Sequence, residues 1–315
     1  MKKYKFYNNV LGWTAFAIAF ITYLLTMEPT ASWWDCSEFI SSAFKLEVGH
    51  PPGAPLFIIV ARIFTLFAGS NLAHVAVMVN ILSALMSALT ILFLFWTITA
   101  LCRKLKSSDH NYSVQKIIII LGSGFVGALA FTFSDSFWFS AVEGEVYASS
   151  SFFTAIVFWA ILKWEAQAET KGIDRWIILI AYLMGLSIGV HLLNLLAIPA
   201  ITFVYYFKRY KSTRIGILKT TLVSVAILGF VQYGIIPGLV LVASKFELLF
   251  VNNLKLGFGS GIIIYSLLLL GTLIWGIYFS QKKRKVMLNT ALLSLLFIII
   301  GYSSYAMIVI RSNAN

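Results

Sequence analysis

Long apolar runs recur along the chain and constrain its fold more than any other feature. A helix needs about 20 apolar residues to cross the hydrocarbon core of a bilayer. Only 11% of the residues are charged and 60% are hydrophobic, whereas roughly 25% are charged in soluble proteins. The runs predict an all-α polytopic membrane protein with about nine transmembrane helices, organised as one transmembrane domain over residues 1–315. They lie at 10–27, 73–101, 117–134, 148–163, 176–190, 192–207, 220–243, 261–280 and 288–310.

The basic residues predict an orientation for these spans. With the N-terminus inside, 19 of the 24 Lys and Arg residues fall in connections on the inner side. Since inner loops carry an excess of Lys and Arg, we expect a cytoplasmic N-terminus and an outer C-terminus. The net charge of +12 is then a topology signal, and we expect no nucleic-acid partner. Cys36 and Cys102 fall on opposite faces and are expected to stay unpaired.

Two stretches decide the number of spans. Residues 56–70 are apolar but short and contain Arg62, and counting them as a span would place the basic clusters outside. We therefore expect an interfacial or re-entrant helix within the first outer loop, residues 28–72. Residues 176–207 could form one long helix, but dividing them near His191 preserves the charge rule. The N-terminal segment also resembles a signal peptide, although residues 27–32 match a cleavage site poorly.

The first outer loop carries the strongest chemical signal, because eight of the twelve acidic residues fall outside and this loop holds four of them. A helix is predicted over residues 34–46, which places Asp35 and Glu38 on one face. The turn at His50-Pro51-Pro52-Gly53 should end it. A carboxylate beside Trp rings and a second acid suits a general base or a cation ligand. The alternative is structural, with Asp35 as helix cap and Glu38 as its capping-box partner.

The second outer loop holds another acidic pair, Glu143 and Glu145, directly before an apolar run. A carboxylate in hydrocarbon costs about 2.5–3.5 kcal/mol, and their position at the edge of a span predicts partial burial. They could bind sugar hydroxyls, a metal ion or a lysine, or they could form a solvated surface turn. Tyr147 follows them and joins the candidates for substrate binding.

Three further polar residues stand out from apolar surroundings. His191 and Asn194 lie in the turn that divides 176–207 and could reach a shared outer cavity, or they could be packed residues. Arg311 at the outer end of the last run is suited to bidentate phosphate binding, or it could extend its charge to the interface. His74 and Asn80 in the second run are interpreted as interhelical hydrogen-bonding groups. The sequence has no metal-ligand spacing motif, although a divalent cation at the acidic residues stays an open interpretation.

The motifs of the outer loops resemble one protein family. Residues 34–39 (WDCSEF) and 50–57 (HPPGAPLF), followed by 141–147 (AVEGEVY) and 310–315 (IRSNAN), resemble the GT-C superfamily of membrane glycosyltransferases. The similarity is to the branch that includes the transmembrane O-mannosyltransferase of plexin-type receptors and membrane proteins common in Bacteroidetes. Ser37 departs from the glycine that relatives often have there. Bacterial relatives often extend further, so we expect this chain to be the N-terminal part of a longer protein.

This resemblance implies a GT-C-like fold and a reaction. A sugar, mannose or another hexose, would pass with inversion from a polyprenyl-phosphate donor to Ser or Thr hydroxyls of an exported protein at the outer face of a bacterial inner membrane. Asp35 would be the base, and Glu38 and His50 would orient the base or the sugar. Arg311 would hold the phosphate. The partners are then the lipid-linked sugar, the acceptor protein and membrane lipid, with no cofactor required by the motifs.

Two other classes of protein compete with this interpretation. A lipid flippase or small-solute transporter should have charges in mid-span and a path through both faces. A non-catalytic membrane assembly factor should have a filled interior. A glycosyltransferase should instead have a lateral cavity, open to lipid, beside Asp35.

Overall fold

A computed structural model describes residues 2–105, 113–170 and 172–312, and within these ranges the chain forms helices and connecting turns without a strand. The all-α class is therefore confirmed. Lys106 and Lys171, two of the inner basic residues, and residues 313–315 of the closing motif lie outside the described residues. The helices are α1 (Lys2–Thr26), α2 (Cys36–Lys45), α3 (Pro55–Thr65), α4 (Val75–Leu105), α5 (Val114–Thr132), α6 (Asp135–Ala141), α7 (Val146–Ala166), α8 (Arg175–Ile188), α9 (Ala197–Arg209), α10 (Arg214–Gly229), α11 (Ile236–Leu248), α12 (Ser260–Lys282), α13 (Val286–Tyr302) and α14 (Ala306–Ser312).

Seven helical segments in the described ranges are long and apolar enough to cross a membrane. The chain is therefore an integral membrane protein. These segments are Lys3–Thr26, Leu72–Leu105, Val114–Thr132, Val146–Ala166, Arg214–Asn253, Ser260–Lys282 and Val286–Ser312. Residues 176–207 do divide near His191, but α8 and α9 have only 14 and 13 residues. Helix length thus supports seven spans, and nine stays a prediction.

The first outer loop contains the helices that its sequence predicts. Helix α2 matches the expectation for residues 34–46, and α3 with the 3₁₀ turn Leu66–Ala68 fills most of 56–70. The position of α3 relative to the membrane plane stays a prediction. Both cysteines are free, as expected, and Cys36 is buried.

The helices cluster into two compact units. The first comprises Met1–Lys163, Leu186–Asn194 and Ser303–Asn315 as far as these are described, and it contains every candidate site residue. Its buried core joins α1, α4, α5 and α6 through small and aromatic side chains. Alanines on α1 and α4 let the two helices approach closely, which is how membrane helices associate. These alanines are Ala15, Ala19, Ala84 and Ala88.

The second unit comprises Trp164–Gly185 and Leu195–Tyr302. Here α10 and α11 are joined by a π-helical turn at Phe230–Ile235. The Glu247 carboxylate accepts hydrogen bonds from the backbone N–H groups of Gly259 and Ile262, at 2.6 and 3.1 Å. It thereby satisfies groups that a helix N-terminus leaves unpaired, and fixes the start of α12.

Candidate active site

Helix α2 positions the two carboxylates of the first outer loop. It buries one face through Cys36, Phe39, Ile40 and Ala43 and ends at Leu46, which adopts a left-handed conformation with φ of 54°. Asp35 occupies the cap position, yet within the described residues its side chain makes no capping hydrogen bond. The capping-box interpretation is therefore wrong for this carboxylate, whose side chain stays 55% exposed.

His50 lies between Asp35 and Glu38. The Glu38 carboxylate accepts a hydrogen bond from the backbone N–H of His50 at 2.6 Å and contacts the ring Nδ1 at 3.0 Å. The opposite ring atom, Nε2, lies 3.9 Å from Oδ2 of Asp35. The backbone and side-chain hydrogen bonds from His50 lower the pKa of Glu38. An ionised Glu38 accepts a hydrogen bond from Nδ1 in the tautomer that carries a proton there, and Nε2 is then the ring nitrogen next to Asp35.

The turn after α2 brings His50 to this position. The backbone N–H of Gly53 donates to the His50 carbonyl at 2.8 Å, and Gly53 has a φ of 73°. An added Cβ at Gly53 would lie 2.8 Å from Cδ1 of Ile308, the end of a flexible side chain, so it is the positive φ that makes glycine the suitable residue here. Phe39 on α2 packs 5.8 Å from the His50 ring. The His-Pro-Pro-Gly motif therefore places the imidazole against α2.

The acidic pair of the second outer loop is buried. Glu143 and Glu145 are each only 3% exposed, so the interpretation as a solvated turn is wrong and burial exceeds the partial burial expected. Glu143 is hydrogen-bonded by Ser32, while its Oε2 has no hydrogen-bond partner among the described residues. Burial raises the pKa of Glu143. Burial, reinforced by the charges of Glu143 and Asp35, raises the pKa of Glu145 to about 7.

The two outer loops are joined through backbone contacts that sequence reasoning missed. The backbone N–H of Asp35 hydrogen-bonds Glu145, which places the two acids side by side. Asn80 donates to the carbonyls of Glu28 and Thr30 at 2.6 and 3.0 Å, so it anchors the first loop rather than a neighbouring span. Similarly, Nε2 of His74 lies 3.4 Å from Nδ2 of Asn71 in the same loop, so this contact is local. The only sequence signal for the contact between Asn80 and the first outer loop was a polar residue in the first part of the apolar run 73–101.

A cavity of about 270 Å³ connects the two loops to the turn after α8. It collects five of the predicted site residues, Asp35, His50, Glu145, Tyr147 and His191. The remaining lining residues are Phe39, Pro52, Gly53, Ala54, Val146, Ile188, Val190 and Leu192. Acidic and basic groups thus converge in a largely apolar pocket, which is the usual form of a small-molecule site. Glu38 supports the lining residue His50 from behind.

Tyr147 and His191 form an aromatic pair in the cavity, with ring centroids 5.4 Å apart. The Gly189 carbonyl accepts from the backbone N–H groups of Leu56 and Phe57 at 2.8 and 3.3 Å, which fixes the turn before His191 on the start of α3. Burial lowers the pKa of His191.

Asn194 and Arg311 lie outside the set of described residues that line the cavity. Asn194 is buried and donates a hydrogen bond to the Ser187 hydroxyl at 3.0 Å. Its position thus fits the alternative in which it is a packed residue. The Nε of Arg311 donates to the Leu46 carbonyl at 2.8 Å, at the C-terminus of α2. Arg62 donates to the neighbouring Phe44 carbonyl. Both arginines therefore hold the helix that carries Glu38, and binding of a phosphate by Arg311 stays a prediction.

Asp35, Glu38 and His50 also offer the donor set for a cation. Each provides one ligand atom, and these atoms lie within 4.8 Å of one another. Carboxylate oxygens and an imidazole nitrogen suit a divalent ion such as Zn²⁺ or Mn²⁺. The same three residues also have an explanation without a cation. Glu38 orients the imidazole of His50 through a hydrogen bond, and the imidazole lies beside Asp35, the candidate base.

Comparisons with known proteins identify a family for the part of the chain that contains most of these residues. A family model described as the protein O-mannosyl-transferase TMEM260 N-terminal domain matches residues 35–214. The matched range begins at Asp35 and includes all the candidate residues except Arg311. No solved structure matches the chain.

Two curated relatives carry the same name. The protein O-mannosyl-transferase of Dictyostelium discoideum is 29% identical over 137 residues, which are 44% of this chain and 15% of the relative. That of Mus musculus is 28% identical over 174 residues, 55% of this chain and 22% of the relative. The chain thus matches less than a quarter of each relative's length. Because the family model covers more than half of the chain, the chain belongs to the family of the protein O-mannosyl-transferase TMEM260 N-terminal domain.

Proposed function

We propose that this chain is the sugar-transferring part of a membrane glycosyltransferase. It moves mannose or another hexose from a polyprenyl-phosphate donor to Ser or Thr hydroxyls of exported proteins, at the outer face of a bacterial inner membrane. The observation that carries the proposal is the cavity in which Asp35, His50 and Glu145 from two loops meet. The names of the two relatives support the sugar and the acceptor class. The basic inner connections support the orientation.

The reaction needs a base and a positioned donor. The acceptor hydroxyl gives its proton to Asp35 while its oxygen forms a bond to the anomeric carbon of the sugar. The bond between that carbon and the phosphate oxygen breaks, and the electron pair leaves with the polyprenyl phosphate. Attack opposite the leaving group inverts the anomeric carbon. Phosphate is already a good leaving group, so positioning and proton removal supply most of the catalysis.

The contacts of His50 suit it to assist this base. Glu38 holds Nδ1, and Nε2 faces Asp35 at 3.9 Å. At 3.9 Å the imidazole lies beyond hydrogen-bond distance of Asp35, so we assign it to positioning beside the base rather than to proton transfer. Glu145 borders Asp35 and fixes its backbone through a hydrogen bond. The four residues form one connected unit around the reacting hydroxyl.

The cavity also bears on the competing classes. A non-catalytic assembly factor should have a filled interior, whereas here the space lies directly beside Asp35. For a flippase or transporter, the ionisable groups should lie in mid-span. Asp35 instead precedes α2, Glu38 lies in the first turn of α2, and Glu143 and Glu145 precede α7, so all four lie outside the helical segments that are long enough to span a membrane. Both observations favour transfer chemistry.

The experiment separates transfer from transport. Purified protein in detergent receives polyprenyl-phosphate mannose and a Ser/Thr-rich peptide, and mass spectrometry follows the hexose on the peptide and the free sugar released to water. Release to water requires no acceptor recognition, so it reports the chemistry even in a partial chain. We expect both products to form, and to be lost in Asp35→Asn but not in Glu47→Gln. Movement of the lipid across proteoliposomes without either product would contradict the proposal.

A further inference from the structure

The lining of the cavity contains two chemically different groups of side chains. The carboxyl groups of Asp35 and Glu145 together with His50 form one group, and the rings of Tyr147 and His191, here called the aromatic wall, form the other. Glu145 and Tyr147 flank the first residue of α7, whereas His191 belongs to the turn after α8, which also contributes apolar residues to the lining. A ligand that fills this space therefore needs a hydroxyl-bearing edge and an apolar face.

The aromatic wall presents an exposed ring that is held in place. Tyr147 is the second residue of α7, and 47% of its surface remains exposed. Its ring is tilted by 57° to that of His191. The preceding residue, Val146, is only 5% exposed and fixes the helix start. The face of an aromatic ring is electron-rich and attracts polarised C–H groups.

His191 adds a hydrogen-bond donor to this wall. Its Nδ1 accepts a hydrogen bond from the backbone N–H of Leu193 at 3.2 Å. A neutral imidazole that accepts at Nδ1 carries its proton on Nε2. Burial lowers the pKa of His191, which keeps the ring neutral near pH 7 and leaves Nε2–H to donate. The wall thus offers a flat face beside one donor.

We propose that Tyr147 and His191 form the sugar subsite, where the pyranose ring of the lipid-linked donor lies with its C–H face on Tyr147 and its hydroxyls towards Glu145 and Asp35. This inference rests on the proposed function and deepens it by naming the residues that recognise the sugar. A pyranose has both an apolar face and a hydroxyl edge. A polyprenyl chain offers no hydroxyls, and a Ser or Thr side chain has no extended face.

The size of the cavity agrees with a single sugar. Its volume of about 270 Å³ lies just below the usual range for small-molecule sites, which is about 300–1,000 Å³. One hexose is the part of the donor that suits such a space, while the lipid tail requires a far longer surface. The subsite thus assigns sugar recognition to the second loop and to the turn after α8.

The test compares binding of two lipids that differ only in the sugar. Polyprenyl-phosphate mannose and polyprenyl phosphate are titrated into purified protein, and the affinity ratio measures what the sugar contributes. We expect a clear preference of the wild type for the mannose-bearing lipid. Tyr147→Ala should reduce that preference about 3- to 10-fold, as expected for one aromatic contact, with binding of the bare lipid phosphate unchanged. Tyr147→Phe should keep the preference.

Two controls make the result specific. Tyr7→Ala removes a tyrosine of similar exposure, 49%, on α1 and should leave the preference intact. Tyr147→Leu keeps the bulk without the aromatic face, and should behave like Tyr147→Ala if the ring itself binds the sugar. Thermal unfolding confirms that each variant is folded.

The outcomes separate this inference from the proposed function. Equal wild-type affinity for the two lipids, or an unchanged preference in Tyr147→Ala, would overturn the sugar subsite even if transfer occurs. Sugar-dependent binding without transfer would keep the subsite and overturn the proposed transferase activity. Binding therefore tests the subsite without relying on turnover.

Discussion

Arg311 donates a hydrogen bond from Nε to the carbonyl of Leu46, 2.8 Å away, although 265 residues separate them. Leu46 ends α2 in a left-handed conformation. A cation at a helix C-terminus is stabilised by the helix dipole and by the unpaired carbonyls. Arg62 donates to the carbonyl of Phe44, two residues before Leu46, and its guanidinium carbon lies over the Phe44 ring, 5.4 Å from the centroid. The C-terminus of α2 is thus held by α3 and α14.

Arg311→Met should destabilise the protein rather than abolish donor binding. We expect the free energy of unfolding to fall by about 1–2 kcal/mol, because a hydrogen bond from a charged group is lost. Transfer should slow because Glu38 moves with α2. Thermal unfolding and donor affinity are measured together. A large loss of donor affinity with unchanged stability would instead assign Arg311 to the phosphate.

Gly144→Ala should destabilise the second outer loop. An added Cβ would lie 2.9 Å from both Oδ1 of Asn80 and Cγ1 of Val79, and 3.3 Å from Ile40. Overpacking of this kind costs about 1–3 kcal/mol. Gly122→Ala is the matched control, because nothing lies within 4 Å of its added Cβ. Equal unfolding temperatures for the two variants would show that the loop is packed less tightly than described.

Glu145 should make stability depend on pH. Its pKa is raised from 4.5 to about 7 in the folded protein, so the folded state binds more protons than the unfolded state between these values. Stability therefore falls as pH rises through this window, by at most about 3 kcal/mol.

The variant Glu145→Gln keeps the size of the side chain and removes this titration. It should raise the unfolding temperature relative to wild type at pH 8 and leave it nearly unchanged at pH 4. Glu47→Gln, which removes an exposed acid paired with Lys45, provides the control. Identical curves for wild type and Glu145→Gln at pH 8 would contradict the burial of this carboxyl.

Glu38 and His50 should act as one unit in transfer. Their hydrogen bonds, at 2.6 and 3.0 Å, predict that Glu38→Gln and His50→Asn each lower the transfer rate. The double variant should be little worse than the more damaging single variant, since residues in one network are not additive. If the loss of transfer rate in the double variant equals the product of the two single losses, the two residues act separately.

The sequence predicts the parts of the site that are close along the chain. Asp35, Glu38 and His50 lie within 16 residues of sequence, and helical spacing with the His-Pro-Pro-Gly turn was enough to bring them together. The apolar runs likewise predicted the all-α class, because a bilayer admits few alternatives.

Contacts between distant segments were not predictable in the same way. Burial of Glu145 beside Asp35 depends on the close approach of Gly144 to Asn80, which no local pattern encodes. The contact between Arg311 and Leu46 depends on the path of the whole chain. Asn194 was grouped with His191 because they are neighbours in sequence, yet the turn directs one into the cavity and the other to Ser187.

The most direct measurement is donor binding and sugar transfer on the same samples of wild type and Asp35→Asn. The Asn side chain keeps the size of Asp35 and cannot take a proton from the acceptor. We predict unchanged folding and largely retained donor affinity, since Asn can still hydrogen-bond a sugar hydroxyl, with transfer reduced by about 100-fold or more, as for loss of a general base. Undiminished transfer in Asp35→Asn would contradict the assignment of Asp35 as the base.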